Sequence, residues 1–342
     1  MLVTLKTSKH SARLRRIVDA FPRLTITVLA DLVADEFIYG EISRVSREAP
    51  VLILRHRERT VVPGGGANAV YNLAALGVTA LPVGVVGDDE TGRLLLQAFH
   101  EKHIGLSGVS KVKGRPTVTK TRILAGQTHS ARQQVVRVDR EPETDLPRLY
   151  RNRLLEAARE FSPASDALLV SDYGYGGVTP DLLDTLRATG AFDKVPITLD
   201  SRYRMFEFHG VTAATPNEPE VEEALRIRIG ADTPRLLDAG KDVIARMGLQ
   251  SLVITRGRHG MVCFQPHRAP VEIPIHGSDQ VADVTGAGDT VIATFTAALA
   301  AGADPEDAAR LANFAGGIVV MKRGTATASR DELLRAIESA SH

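Results

Sequence analysis

The 342-residue chain has a single cysteine, almost no net charge and no long hydrophobic run. One cysteine, Cys263, excludes a disulfide framework and any cysteine-rich zinc site. The 42 basic and 41 acidic side chains give a net charge of +1, which disfavours a protein that binds nucleic acid by charge. No apolar run reaches the roughly 18 residues that a membrane span needs. We therefore expect a cytoplasmic protein with no nucleic-acid and no membrane partner.

The N-terminus is basic, but no apolar core of a signal sequence follows it before Asp19. We expect a helix over residues 11–20, capped by Ser11, within an N-terminal extension of residues 1–23. An organelle-targeting segment remains the alternative. Hydrophobic residues at 44% and charged residues at 24% are typical of an ordinary folded protein, so global disorder is excluded.

From residue 24 onward, buried-strand patterns alternate with helical patterns. Repeated alternation of this kind predicts an α/β fold with a mostly parallel sheet and helices on both faces. Strands are predicted at 24–30, 79–86, 167–170, 195–199, 211–214 and 251–255, and helices at 67–76, 91–100, 154–161, 180–188, 218–226, 236–247, 290–301 and 305–322. Ligands bind such sheets at the carboxyl ends of the strands. Polar side chains follow predicted strands at Asp31, Asp172, Asp200, Asn217 and Arg256.

Two further segments, about 36–62 and 115–140, are rich in β-formers. The second contains a hairpin pattern with a turn at Gly126. We expect both to form a small separate sheet attached to a single domain over residues 24–342.

The most informative motif is Asp-Val-Thr-Gly-Ala-Gly-Asp-Thr at residues 283–290, just before a predicted helix. Small residues at a helix N-terminus expose backbone amides to an anion. A carboxylate such as Asp289 repels a phosphate, so its presence there favours a general base that takes a proton from an attacking hydroxyl. A tight turn with an acid in the first helical turn is the simpler alternative.

This motif resembles the C-terminal signature of the ribokinase/PfkB family of sugar kinases, and residues 63–77 (PGGGANAVYNLAALG) resemble the N-terminal glycine motif of that family. The likeness runs from about residue 24 to 335. Segments such as 117–124 (TVTKTRIL), 171–177 (SDYGYGG), 215–222 (TPNEPEVE) and 324–329 (GTATAS) are most similar to the family's D-glycero-β-D-manno-heptose-7-phosphate kinases. The resemblance implies a ribokinase-like fold with a β-sheet lid over the sugar, which in relatives often forms a homodimer interface.

The resemblance also implies a kinase that uses ATP and Mg²⁺, with room for a monovalent cation. It assigns Asp289 as the base and Gly286, Ala287 and Gly288 as the anion hole. Asn217 and Glu220 would bind magnesium through water molecules. The residues that would contact the nucleotide are Thr255, Gly257, Arg202 and Asn313, and those that would contact the sugar or its phosphate are Asp31, Asp35, Gly64, Gly65, Asn68, Arg44, Lys120, Arg122 and Arg137. A structural role at the strand end is the alternative for Asp31, and a plain helix-surface position is the alternative for Asn313. Of the lid cations Arg44, Lys120, Arg122 and Arg137, we expect at least half to lie on solvated faces.

Two positions depart from the heptose-kinase pattern. Tyr175 stands where those kinases have lysine in S-D-Y-x-K-G, and Asp200-Ser201-Arg202 replaces their D-P-K. Arg202, or the nearby Arg204, remains able to meet a phosphate. The substrate expected is heptose 7-phosphate, phosphorylated at O1, with another sugar or sugar phosphate as the alternative.

Other classes fit less well. Gly64-x-Gly66-x-x-Ala69 formally matches a dinucleotide fingerprint, in which an acidic residue follows the second strand. Here the candidate acid, Asp88 or Asp89, comes after an intervening glycine-rich stretch that includes Gly87. There is no P-loop sequence, and His103-Ile104-Gly105-Leu106 lacks the second histidine of a nucleotidyltransferase H-x-G-H motif. We therefore expect a monofunctional kinase, while a non-catalytic sugar-binding protein of the same fold is the competing hypothesis.

Overall fold

The computed structural model describes residues 2–126, 133–277 and 282–340, with side chains from Lys9 onward. Thirteen strands and ten helices lie in these ranges. The strands are β1 (Thr25–Ala30), β2 (Leu32–Val45), β3 (Leu52–Gly64), β4 (Thr79–Gly87), β5 (Val109–Val112), β6 (Thr119–Gly126), β7 (Gln133–Arg140), β8 (Ala167–Asp172), β9 (Ile197–Ser201), β10 (Ala213–Ala214), β11 (Ser251–Thr255), β12 (Met261–Phe264) and β13 (Val271–Ile273). The helices are α1 (Leu2–Ala20), α2 (Gly65–Ala75), α3 (Glu90–Glu101), α4 (Arg148–Phe161), α5 (Pro180–Arg187), α6 (Glu218–Leu225), α7 (Thr233–Met247), α8 (Ala287–Ala300), α9 (Pro305–Val319) and α10 (Arg330–Ser339).

The larger sheet has nine strands in the order β13-β12-β11-β10-β9-β8-β1-β4-β5. The strands from β11 to β5 pair in parallel, whereas β12 and β13 add an antiparallel edge. From β1 the chain continues to β4 on one side and later to β8 on the other. The carboxyl ends of β1 and β8 therefore flank a topological switch point, where open α/β sheets bind ligands.

Hydrophobic side chains fill both faces of this sheet. One buried cluster joins the sheet to α1, α2, α3, α8, α9 and α10, and the other joins it to α4, α5, α6 and α7. This arrangement confirms the predicted α/β class. Leu14 and Val18 of α1 are buried in the first cluster together with Leu333 of α10. The N-terminal helix is thus packed into the core, and it starts earlier than the predicted residue 11.

The smaller sheet has the order β3-β2-β6-β7. Strands β6 and β7 pair antiparallel, as the hairpin pattern predicted, and the residues joining them lie outside the described part. Strand β2 pairs antiparallel with β3 and parallel with β6. The sequence predicted only a β-rich segment over about 36–62, and the structure resolves it into the two long strands β2 and β3, whose charged residues interrupt the apolar pattern.

Several other elements differ from the prediction. Helix α8 begins at Ala287 rather than at residue 290, because Gly286 takes a left-handed φ of 77° and turns the chain into the helix. Strands β5, β12 and β13 and helix α10 were not predicted. The N-terminus of α10 carries a capping box between Ser329 and Glu332, a signal that the sequence contains. In the described part of the chain, every helix is too short or too polar to cross a bilayer.

Candidate active site

A cavity of about 420 Å³ opens at the carboxyl ends of the parallel strands, beneath the smaller sheet. Residues at or just after the carboxyl ends of β8, β9, β10 and β11 line one side, and the loop before α8 lines the other. The lining includes the following residues predicted from sequence: Asp35, Gly65, Lys120, Arg122, Arg202, Asn217, Glu220, Thr255, Gly257, Gly286, Gly288 and Asp289. Residues spread over more than 250 positions of sequence therefore meet in one place.

Asp289 lies in the first turn of α8 with only 2% of its surface exposed. Its Oδ1 accepts a hydrogen bond of 2.6 Å from the hydroxyl of Tyr173, and its Oδ2 accepts one of 3.0 Å from the side-chain amide of Asn68. Two donors from different elements thus fix both carboxylate oxygens. The carboxylate is oriented at the edge of the cavity before any ligand arrives.

The amide of Asn68 is itself held in place. Its oxygen accepts a hydrogen bond of 3.1 Å from Asn72, whose own oxygen accepts one of 3.0 Å from Thr290. Asn68 was predicted to contact sugar, but in the structure its amide nitrogen contacts Asp289 and the carbonyl of Gly286. This chain ties the glycine motif on α2 to the start of α8.

Burial raises the pKa of Asp289 to about 7. The hydrogen bonds from Tyr173 and Asn68 oppose that rise, while the charges of Asp200 and Asp35 add to it. A carboxylate with its pKa near neutrality can accept a proton from a hydroxyl and release it again. The geometry and the pKa of Asp289 therefore suit a general base.

The N-terminus of α8 supplies backbone donors. Because the helix begins at Ala287, the amides of Gly288 and Asp289 have no helical carbonyl four residues earlier. The amide of Ala287 donates to the carbonyl of Val284 at 3.2 Å, so the turn already engages it. Gly288 is exposed and lines the cavity, so its amide is accessible to an anion.

Asp35 lies at the other end of the cavity, on β2. Its Oδ1 accepts a 2.6 Å hydrogen bond from Arg122 and its Oδ2 accepts one of 2.8 Å from the hydroxyl of Thr325. The register of β2 with β6 places Asp35 opposite Lys120. A Cβ on Gly64 would lie 2.6 Å from the Asp35 carboxylate, so glycine is required there for Asp35 to occupy its position.

Asp31 was predicted to face a sugar, but the structure places it beneath the loop after β8. Its two oxygens accept hydrogen bonds from the backbone amides of Tyr173, Tyr175, Gly177 and Val178, at 2.9 to 3.2 Å. Only 3% of Asp31 is exposed, and it does not line the main cavity. Asp31 therefore organises the loop that carries Tyr173, which favours the structural role at the strand end over contact with the sugar.

A second group of carboxylates lies between β9 and α6. Burial, with the charge of Glu220, raises the pKa of Asp200 to about 8, and burial raises the pKa of Glu220 to about 7. Glu220 and Asn217 also form a capping box at the start of α6. These two buried acidic groups would provide hard oxygen ligands for a divalent cation. Among the described residues, no cluster of three or more protein ligands is present, so water or phosphate would complete the coordination.

An apolar cavity of about 170 Å³ adjoins the main one and shares Thr255, Gly257, Val284 and Gly288 with it. Its floor is formed by Gly316 and Gly317 of α9 together with Val291 and Val320. Asn313, predicted to lie near adenine, lines this cavity rather than the main one. Its side-chain amide donates to the carbonyl of Pro274 at 2.8 Å.

Two predicted lid cations lie away from the cavity. Arg44 follows Asp35 by nine residues along β2, about 30 Å of extended chain, and its side chain is exposed. Arg137 is on the exposed strand β7, where it forms a bidentate pair with Asp139. Both positions agree with the alternative that these cations lie on solvated faces of the lid. Arg204 is also engaged, since it donates to Asp172 at 2.6 Å.

Sequence reasoning gave no role to several polar residues at the site, among them Tyr173, Asp200, Thr215 and Thr325. Asp200 had a signal, because it follows a predicted strand. Tyr173, Thr215 and Thr325 lie in segments that resemble heptose kinases, but nothing in the sequence shows that Tyr173 reaches Asp289 or that Thr325 reaches Asp35.

Comparison with known proteins agrees with this geometry. The model of the pfkB family carbohydrate kinases matches residues 32–332. The chain is 38% identical over 318 residues to the bifunctional protein HldE of Koribacter versatilis, covering 93% of this chain and 64% of that protein. It is 40% identical over 308 residues to HldE of Geobacter metallireducens, covering 90% of this chain and 61% of that protein. The chain thus spans less than two thirds of the length of these relatives.

Two solved structures have the same fold. Phosphofructokinase-2 from Escherichia coli, in complex with potassium, superposes with a TM-score of 0.75 at 17% identity, over 93% of this chain and all of that one. Ribokinase from Arabidopsis thaliana, complexed with ribose and ATP, gives a TM-score of 0.70 at 21% identity, over 92% and 98%. The family match and the site together show that this chain belongs to the pfkB family of carbohydrate kinases. The predicted ribokinase-like fold is confirmed.

Proposed function

We propose that this chain transfers the γ-phosphate of ATP to O1 of D-glycero-β-D-manno-heptose 7-phosphate, giving the 1,7-bisphosphate. The observation that carries the kinase reaction is Asp289, a buried carboxylate with its pKa raised to about 7, fixed at the edge of a cavity beside the amides of α8. The substrate is supported by the segments that resemble heptose-7-phosphate kinases and by the 38–40% identity to the two HldE relatives.

The two adjoining cavities suit the two substrates of the reaction, ATP and the sugar. The adenine of ATP would occupy the apolar cavity over Gly316 and Gly317, with its phosphates directed toward Thr255 and Gly257. The γ-phosphate would reach the N-terminus of α8, where open amides and the helix dipole stabilise negative charge on the transferring group. The sugar would lie in the main cavity between Asp35 and Asp289.

In the proposed step, Asp289 takes the proton of the anomeric hydroxyl as that oxygen forms a bond to the γ-phosphorus. The bond from the γ-phosphorus to the bridging oxygen of ATP breaks, and ADP leaves with both electrons. Magnesium, held by Asn217 and Glu220 through water and close to Asp200, would neutralise charge on the phosphate oxygens. Closure of the smaller sheet over the sugar would exclude water that competes as an acceptor.

The test is a panel of sugars and sugar phosphates, assayed for ADP release by the wild type and by Asp289→Asn. We expect turnover with heptose 7-phosphate, and a loss of at least about a thousandfold in the variant, since an amide cannot accept the proton. Asp238→Asn, at an exposed position on α7, is the matched control and should be unaffected. Turnover that survives Asp289→Asn would refute the mechanism, and preference for a sugar without phosphate would refute the heptose-phosphate assignment. A protein that binds sugar without any ADP release would favour the non-catalytic alternative.

We also propose that a second copy of the chain covers the outer surface of the smaller sheet. Strand β7 is an edge strand whose residues are all exposed, including Val135, Val136 and Val138 at 45–53%. An open sheet edge with exposed valines is a liability unless another strand covers it. Light scattering should give the mass of a dimer, and Val136→Asp with Val138→Asp should shift it to the monomer. A wild-type monomer at micromolar concentration would refute this interface.

A further inference from the structure

Three cationic side chains line the main cavity, and they differ in how they are balanced. Arg122 donates to the carboxylate of Asp35 at 2.6 Å. For Lys120 and Arg202, by contrast, no carboxylate oxygen lies within 4.0 Å among the side chains that the structure describes. Neither cation therefore forms an ion pair with a described side chain, although the charge of Asp35 acts on Lys120 and that of Glu220 acts on Arg202 from beyond this distance.

Lys120 is in an unusual position for such a cation. Only 8% of its surface is exposed, and its Nζ lies 4.9 Å from the ring centre of Tyr173 and 5.7 Å from that of Tyr175. Burial and the positive charge of Arg202 both lower the pKa of Lys120. Two aromatic faces give partial compensation for the lost water, but they provide no negative charge. An anion between Lys120 and Arg202 would supply that charge.

The position of Lys120 and Arg202 relative to Asp289 indicates which ligand carries the anion. The ring of Tyr173 has Lys120 over its face, while its hydroxyl donates to Asp289. A sugar whose acceptor hydroxyl contacts Asp289 would therefore extend across Tyr173 toward Lys120. We propose that Lys120 and Arg202 bind a phosphate group that the sugar already carries, which moves Arg202 from the nucleotide site expected from the sequence to the sugar site. The proposal rests on the kinase function above.

A second cavity next to Tyr173 and Tyr175 limits where the substrate phosphate can bind. It has a volume of about 310 Å³, shares Tyr173 and Tyr175 with this region, and is lined by Glu141, Glu143 and Asp145. Three carboxylates would repel a phosphate there. Tyr175, which stands where the similar kinases have lysine, directs its hydroxyl to Glu141 at 3.3 Å. The acidic cavity therefore disfavours the substrate phosphate, and the part of the main cavity beside Lys120 and Arg202 favours it.

The shared chemistry is a phosphate, and it could also come from ATP, so the experiment separates the two sources. We would measure kcat and KM for heptose 7-phosphate, for the same heptose without its phosphate, and for ATP, in Lys120→Met and Arg202→Met. Each variant should raise KM for the sugar phosphate about 10- to 100-fold, the range expected for a lost charge-assisted hydrogen bond. KM for ATP and for the unphosphorylated heptose should change by less than about threefold. Lys111→Met, an exposed lysine on β5, is the matched control.

Three results would overturn the proposal. An increase in KM for ATP alone would assign the anion to the nucleotide, and an equal loss with both sugars would mean that the pair only shapes the cavity. No change would mean that the pair binds no ligand. Calorimetric binding of heptose 7-phosphate in the presence of ADP gives a readout that does not need turnover. Absence of wild-type ADP release would refute the proposed function, while weaker calorimetric binding by Lys120→Met would still support this phosphate site.

Discussion

The contact between Tyr173 and Asp289 makes a quantitative prediction for Tyr173→Phe. The phenol donates to Asp289 Oδ1 at 2.6 Å and thereby lowers the pKa of a carboxyl that burial raises to about 7. A hydrogen bond to a charged group contributes about 1.5–3 kcal/mol, part of which the protonated acid also retains. Since one pKa unit is about 1.4 kcal/mol, removal of the hydroxyl should raise the pKa of Asp289 by about one unit.

The effect on rate follows from the fraction of Asp289 that is deprotonated. At pH 7 that fraction would fall from about one half to about one tenth, so kcat/KM should fall about fivefold. At pH 9 the fractions are about 0.99 and 0.9, and the two rates should nearly converge. The acidic limb of the kcat/KM profile would therefore shift to higher pH by about one unit.

The assay is ADP release with the sugar substrate from pH 5.5 to 9.5, compared with Tyr150→Phe on α4 as the control. Tyr150 contacts Arg153 and lies outside the main cavity, so its profile should match the wild type. A loss for Tyr173→Phe that is equal at every pH would refute the reasoning, because the phenol would then act through geometry and not through the pKa of the base. An unshifted profile with full activity would show that the hydrogen bond does not form in solution.

Three further changes test other parts of the site. Because the pKa of Asp200 is raised in the folded state to about 8, the folded protein keeps a proton that the unfolded chain loses above its own pKa of about 3.9, and stability falls progressively between these values. Asp200→Asn should therefore increase the melting temperature relative to wild type clearly more at pH 9 than at pH 5.5, and an equal difference at both values would contradict this. Gly64→Ala should raise KM for the sugar more than tenfold with little change for ATP, because the new Cβ would displace Asp35, while Gly105→Ala, with nothing within 4 Å, serves as the control. Asp31→Ala should lower the free energy of unfolding by at least about 3 kcal/mol, since four buried amides lose their acceptor, and an unchanged urea midpoint would exclude this role.

Much of the fold could be predicted because its pattern is local. Alternating apolar strands and helices indicated the parallel sheet, and the hairpin at β6 and β7 was visible in its β-rich segments. Strand β2 was harder, since Asp35, Glu36 and Glu41 interrupt its apolar residues and one of them belongs to the site. Strands β12 and β13 are short and lie at the sheet edge, where local pattern is weak.

The residues of the candidate site also divide into those that a local sequence pattern identifies and those that only the folded structure identifies. By itself the sequence determined those that lie in short contiguous motifs, such as Asp289 with its glycines and Asn217 with Glu220, because one helix start sets their geometry. Only the tertiary structure decided which distant residues act on them. Tyr173 and Asp289 are 116 positions apart, yet they share a hydrogen bond because β8 ends beside α8.

The chain's net charge of +1 illustrates the difference between what the sequence determines and what the tertiary structure determines. From the sequence alone, any of the lid cations could have met a phosphate. The structure pairs Arg122 with Asp35 and Arg137 with Asp139, and leaves Lys120 and Arg202 without a carboxylate within 4.0 Å among the described side chains. Composition fixes the total charge, but local attraction for an anion depends on which charges fold next to one another, and strand register and burial set those distances.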